Sequence, residues 1–210
     1  NQYVYWKKVR RPSVGRNIWH RSWKILREIT TILRVMHFQM VYQKYSTGKA
    51  NMNTSITGLD HVGFSVSNMD TSIDFYKILL QSDPIMRRFY PEQYVATVVG
   101  YNKIAMDAAF FEIGPSNVIL ELLEYQIPPN ARVDMETYNV GNGHLCLIVD
   151  DLDAEYQRLM PHKMAFRSPK AISIPIGPYK GGKACYLRDP DGISIELIEY
   201  PPDSKPKNQT

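Results

Sequence analysis

Asp60-His61-Val62-Gly63-Phe64-Ser65-Val66 and, 83 residues further on, Gly143-His144-Leu145-Cys146-Leu147-Ile148-Val149 decide the fold of this chain. Each stretch alternates with the period of two that marks a β-strand, and each has a histidine in second position. A helix follows both. Asn68 or Asp70 can cap the first, which carries Ile73, Tyr76, Leu79 and Leu80 on its buried face. Asp150 or Asp151 can cap the second, which carries Leu152, Tyr156, Leu159 and Met160 and stops at Pro161. The closing segments also correspond: Glu121-Leu122-Leu123-Glu124-Tyr125 ends the first unit and Glu196-Leu197-Ile198-Glu199-Tyr200 the second. Between helix and closing strand there is room for two more strands, near residues 85–90 and 104–113, then near 165–168 and 183–188. Asp189-Pro190-Asp191-Gly192 has the composition of a tight turn. The repeat predicts an α+β fold in which two paired βαβββ modules, at about 55–128 and 140–200, form a curved mixed sheet around a site.

Strand parity predicts what that site contains. If Val62, Phe64 and Val66 face the helix, then His61, Gly63 and Ser65 face the hollow, and His144, Cys146 and Ile148 do so in the second module. In the closing strands Glu121 and Glu196 point into the hollow, while Glu124 and Glu199, three places on, fall on the other face and are expected in solvent. Two imidazoles and two carboxylates at repeat-equivalent positions suit one divalent ion per site: Zn, Ni, Co or Mn, with Fe less suited. A calcium site, built from oxygen alone, fits two histidines poorly.

Charge separates the rest of the chain. Residues 1–51 hold eleven Lys and Arg against Glu28 alone, a net +10, whereas the remainder is −6. The main domain thus gives no reason to expect nucleic acid. Ile25, Ile29, Ile32, Leu33, Met36 and Met40 form one stripe opposite Lys24, Arg27 and Arg34, as in a basic amphipathic helix. Such a helix suits an anionic membrane surface, a presequence or packing on the domain; alternatively Met52 is the true start and 1–51 is not native. Residues 201–210 read as a flexible tail. No apolar run is long enough for a transmembrane span. Cys146 and Cys185, without metal-finger spacing, are expected as buried free thiols in a reducing compartment, and the domain as cytoplasmic.

Asp60-His61-Val62, Ile73-Asp74-Phe75-Tyr76, Gly143-His144-Leu145 and Asp189-Pro190-Asp191-Gly192 with Ile195-Glu196-Leu197 resemble the vicinal oxygen chelate superfamily from about Gly58 to Tyr200. That superfamily includes glyoxalase I, methylmalonyl-CoA epimerase, extradiol dioxygenases and bleomycin-resistance proteins. The resemblance implies metal ligands at His61, Glu121, His144 and Glu196. It implies a lyase or isomerase of glyoxalase I (lactoylglutathione lyase-like) type acting on a small molecule. In that reading Glu196 is the base and Glu121 the proton relay. Alternatives are an epimerase, an extradiol-type dioxygenase and a drug-binding protein without catalysis. Gly177-Pro178-Tyr179-Lys180-Gly181-Gly182 looks like the loop over the bacterial glyoxalase site, so Lys180 and Lys183 are candidates for holding an anionic substrate tail. Ser65 and Tyr125 stand where glutathione-dependent glyoxalases have Arg and Asn, which points to another thiol adduct, a CoA ester or a small carbonyl metabolite. Tyr90, Tyr94 and Tyr101 are candidates for the mouth or for packing. In this superfamily the modules pair within a chain or across a homodimer, and the sequence leaves both open.

Overall fold

The computed structural model describes residues 55–202; the expectations for residues 25–40, for Met52 and for the tail beyond 202 lie outside them. The first module runs β1 (His61–Ser65), α1 (Met69–Leu80), β2 (Met86–Tyr90), α2 (Gln93–Val99), β3 (Ala105–Ile113) and β4 (Val118–Ile127). The second runs β5 (His144–Ile148), α3 (Leu152–Leu159), β6 (Ala165–Phe166), β7 (Ile172–Ser173), β8 (Lys183–Arg188) and β9 (Ser194–Glu199). The sheets are ordered β1-β4-β3-β2 and β5-β9-β8-β6, with β7 also on β8. In each, the first strand lies parallel to the last and the remaining pairs are antiparallel. The predicted α+β fold of two βαβββ modules is therefore present. No helix among the described residues is long and apolar enough to cross a membrane.

Both long helices start where polar side chains meet free N–H groups. Asn68 accepts from Thr71 N at 2.9 Å, and Asp151 accepts from Ala154 N at 3.0 Å. Glu124 and Glu199, expected in solvent, are instead half-buried beneath the helices. Glu124 accepts from Met69 N at 2.6 Å and Glu199 from Leu152 N at 2.8 Å. A carboxylate on the packed face of each closing strand thus lands at the positive end of the helix above it.

Two elements escaped the sequence pattern. β7 has only two residues. α2 is rich in β-branched Val95, Thr97, Val98 and Val99, which argue for strand. Packing overrides that preference: Ala96, fully buried, meets Ile104 and Met106, with Leu123 and Tyr125 against the same cluster. Gly100, at φ 78°, ends the helix and returns its N–H toward its last turn.

One core serves both modules. Phe111, Leu120 and Leu122 of the first sheet and Leu187, Ile195 and Leu197 of the second belong to a single buried cluster with Tyr76, Leu79, Leu152 and Leu159. Polar groups lock this junction. Arg158, held by Glu155, donates to the Ile78 carbonyl at 2.8 Å and the Leu79 carbonyl at 3.1 Å, at the end of α1. Asp191 accepts from Ser67 N at 2.7 Å and from Ser67 Oγ at 2.5 Å. Its turn neighbour Asp189 is buried, accepts from Asp191 N and Ile193 N, and receives the Tyr76 hydroxyl at 3.3 Å.

Burial pushes Asp189 up to about 6, against the pull of its backbone donors. In the unfolded chain an aspartate titrates near about 4. Between these values the folded state holds more protons than the unfolded, so this group's contribution to stability falls as pH rises and is constant above. We expect the wild type to lose on the order of 2 kcal/mol of stability from pH 4 to 6.5 that the Asp189→Asn variant does not lose. Urea denaturation of both proteins across that range measures the difference.

Candidate metal centre

The register of the parallel pairs builds two equivalent half-sites. His61 lies opposite Ile119 and Gly63 opposite Glu121; His144 lies opposite Ser194 and Cys146 opposite Glu196. The imidazole of each first strand therefore reaches the carboxylate two places along the last. His61 Nε2 is 3.5 Å from Glu121 Oε2, and His144 Nε2 is 3.0 Å from Glu196 Oε2. About half of each imidazole is open to solvent, at 49% and 44%, which leaves room for a further ligand.

In the first half-site, Asp60 Oδ2 lies 2.8 Å from His61 Nδ1 and fixes which nitrogen faces Glu121. That bond to Asp60, opposed by desolvation and aided by Glu121, raises the His61 pKa. Glu121 is raised too, because loss of hydration outweighs the attraction of His61. In the second half-site the Tyr186 hydroxyl donates to Glu196 Oε2 at 2.8 Å, and its ring centre is 5.5 Å from that of His144.

The donors suit a divalent ion. A bond length of about 2.1 Å places neighbouring ligands about 3.0–3.4 Å apart, and each Nε2–Oε2 pair spans about one such edge. The four do not meet in one chain, however. Among the described residues no group of three or more His, Cys, Asp or Glu is gathered closely enough to hold an ion. The sequence left open whether the four ligands pair within a chain or across two copies; the described residues hold them as two separate pairs. The physical reason is the shared core: because both helix-bearing sheet faces contribute to it, both open faces turn away from it.

The remaining candidates are scattered. Ser65 is exposed on the open face of β1. Tyr125 packs edge-on to Tyr101, with ring centres 6.3 Å apart, and Tyr90 joins the cluster under α2; Tyr94 is exposed. Lys183 does not face the hollow: opposite Glu199 on the packed face, it lies 2.9 Å from Asp153 and 3.2 Å from Glu199. Lys180 is exposed in a loop stapled to the end of β9, where Tyr179 stacks on Tyr200 at 5.4 Å. Gly182 permits that close approach, since a Cβ there would collide with the Glu199 carbonyl.

Sequence reasoning missed Tyr186, Arg167 and Arg188. With Thr137, Asn142, Gly143 and His144 they line a cavity of about 440 Å³ beside the second half-site. Arg188 is tied to the Met135 and Gly192 carbonyls and Ser194 Oγ, whereas Arg167 is half-exposed and pairs with Glu136 at 3.2 Å. The available signal was parity across the Asp189–Gly192 turn: Tyr186 pairs with Glu196, so both must share a face.

The family model described as Glyoxalase/Bleomycin resistance protein/Dioxygenase superfamily matches residues 58–197, and the chain belongs to that superfamily. It is 32% identical over 151 residues to a probable chloroplastic lactoylglutathione lyase of Arabidopsis thaliana, covering 70% of this chain but 37% of that protein. It is 28% identical over 158 residues to a 2-epi-5-epi-valiolone epimerase of an Actinomyces species, covering 71% of this chain and 83% of the relative. The crystal structure of a glyoxalase family protein from Bacillus cereus shares its fold, with a TM-score of 0.62 at 20% identity over 72% of this chain and 99% of that one.

Both cysteines are free; Cys185 is buried as expected, but Cys146 is exposed. Desolvation by the surrounding strands, together with Glu196, pushes the Cys146 thiol up to about 12, and desolvation pushes Cys185 up to about 11. Thiolate is the reactive form. Titration with a disulfide reagent at pH 8 is therefore expected to leave both thiols slow in the native protein and fast in urea. A fast native thiol removed by Cys146→Ser would contradict this account.

Proposed function

We propose that this chain is a divalent-metal-dependent lyase or isomerase of glyoxalase I type that moves a proton beside a substrate carbonyl. The observation that carries the reading is the pair of His–Glu half-sites at equivalent register on two open sheet faces. One ion of Zn, Ni, Co or Mn would be held by His61 and Glu121 of one chain and His144 and Glu196 of a second copy, and two copies related by twofold symmetry would complete two such sites. The bound ion supplies Lewis acidity toward a carbonyl oxygen.

The protein supplies the proton transfer. Glu196 takes the proton from the carbon next to the carbonyl and hands it on through the substrate oxygens to Glu121, which delivers it to the neighbouring position. Returned to the opposite face of the same carbon, the proton gives an epimerase instead, and the same two carboxylates serve. Ser65 and Tyr125 leave the hollow without the Arg and Asn that glutathione-dependent glyoxalases use, which favours another thiol adduct, a CoA ester or a small carbonyl metabolite. Ser65, Tyr125 and Lys180 are the proposed substrate contacts; Lys183 is already paired. Two free thiols fit a reducing cytoplasm.

Mixing two inactive variants tests the whole reading. His61→Ala/Glu121→Gln and His144→Ala/Glu196→Gln should each lose turnover of a panel of hemithioacetals and CoA esters supplied with Ni, Co or Zn. Unfolded and refolded together, they should recover up to about a quarter of wild-type activity, because half the dimers are mixed and each mixed dimer holds one intact site. No recovery, from variants that each refold to the native melting temperature and form dimers, would place the site within one chain. Undiminished activity of either variant would remove the metal reading.

A further inference from the structure

Among the differences between the two half-sites, one lies on the neighbouring antiparallel strand. Opposite Glu121, on the neighbouring antiparallel strand, stands Phe110; opposite Glu196 stands Tyr186. The phenylalanine offers no donor. The tyrosine hydroxyl lies 2.8 Å from Glu196 Oε2, the same oxygen that approaches His144 Nε2 at 3.0 Å. Glu196 is only 18% exposed in its side chain, so this bond acts in a poorly hydrated place.

We infer that Tyr186 is a positioning residue, which holds the Glu196 carboxylate through Oε2 and would keep it satisfied whether or not it was bound to an ion. The inference rests on the metal reading proposed above. A carboxylate that lets go of an ion in an apolar hollow loses its counter-charge and must find a donor or pay in desolvation. Glu196 has that donor in place. Glu121 has among the described residues only the half-exposed His61 as an ion-pair partner. The asymmetry thus distinguishes the two carboxylates: Glu196 has a tyrosine donor in place and Glu121 faces Phe110. The bond also fixes the orientation of Glu196 while it is coordinated, as hydrogen-bonded carboxylate ligands require.

Cobalt(II) titration of the full chain, followed by its visible absorption, tests the inference. Tyr186→Phe is expected to weaken Co(II) binding by about tenfold and to alter the spectrum, with the melting temperature nearly unchanged. The double variant Tyr186→Phe/Glu196→Gln is expected to bind no more weakly than Glu196→Gln alone, because the tyrosine acts through that carboxylate. Equal affinity and spectrum in wild type and Tyr186→Phe would overturn the inference, as would a tenfold loss that persists in the Glu196→Gln background. Failure of the wild type to bind Co(II) at all would instead strike down the metal reading, and the role of Tyr186 with it.

Discussion

In each module the first strand runs parallel to the last, at a register that sets the histidine two places behind the glutamate. Side chains alternate across a strand, so a slip of one residue would bury Glu121 or Glu196 beneath a helix and turn Leu120, Leu122, Ile195 and Leu197 outward. Two features of the packed face oppose the slip. The core leucines and isoleucines there are almost wholly buried. On the same face, Glu124 and Glu199 are seated under the first N–H groups of α1 and α3. The polar residues that set the fold and those that form the half-sites are thus separated by three positions and one sheet face.

The two modules and the sheet face on which each histidine and glutamate lies were legible because period-two alternation is written into short strands and was written twice. What was not legible depended on contacts between distant segments. α2 forms against the local preference of Val95, Val98 and Val99 because Ala96 fills a gap beside Ile104 and Met106. Glu124 and Glu199 looked like solvated carboxylates because nothing in a strand pattern says where a helix begins overhead. Lys183 looked like a substrate contact until its parity was counted against Glu199. The separation of the two half-sites was the least accessible feature, since it depends on how two sheets share a core.

That shared core also explains the polar turn between β8 and β9. Asp189 and Asp191 are shielded from solvent because the turn reaches across to Tyr76 and Ser67 of the other module. Meanwhile the duplicated halves have diverged where they face outward: Gly63 stands against Glu121 and Cys146 against Glu196 at the same register position. A Cβ at Gly63 would stand 3.4 Å from Glu121 Oε2, an ordinary van der Waals contact, so the difference between the two positions lies in the thiol that Cys146 brings beside Glu196. The halves match in their packed faces and differ in their open ones.

Arg158 has a consequence for the order in which the chain can mature. It supplies hydrogen bonds to the last carbonyls of α1 from 79 and 80 residues downstream, and Asp191 reaches Ser67 from 124 residues away. During synthesis the first module leaves the ribosome long before either partner exists. Its helix then ends without that donor, and Phe111, Leu120 and Leu122 lack the neighbours that the second module supplies. The nascent first module therefore exposes the apolar sheet face that the second half later covers.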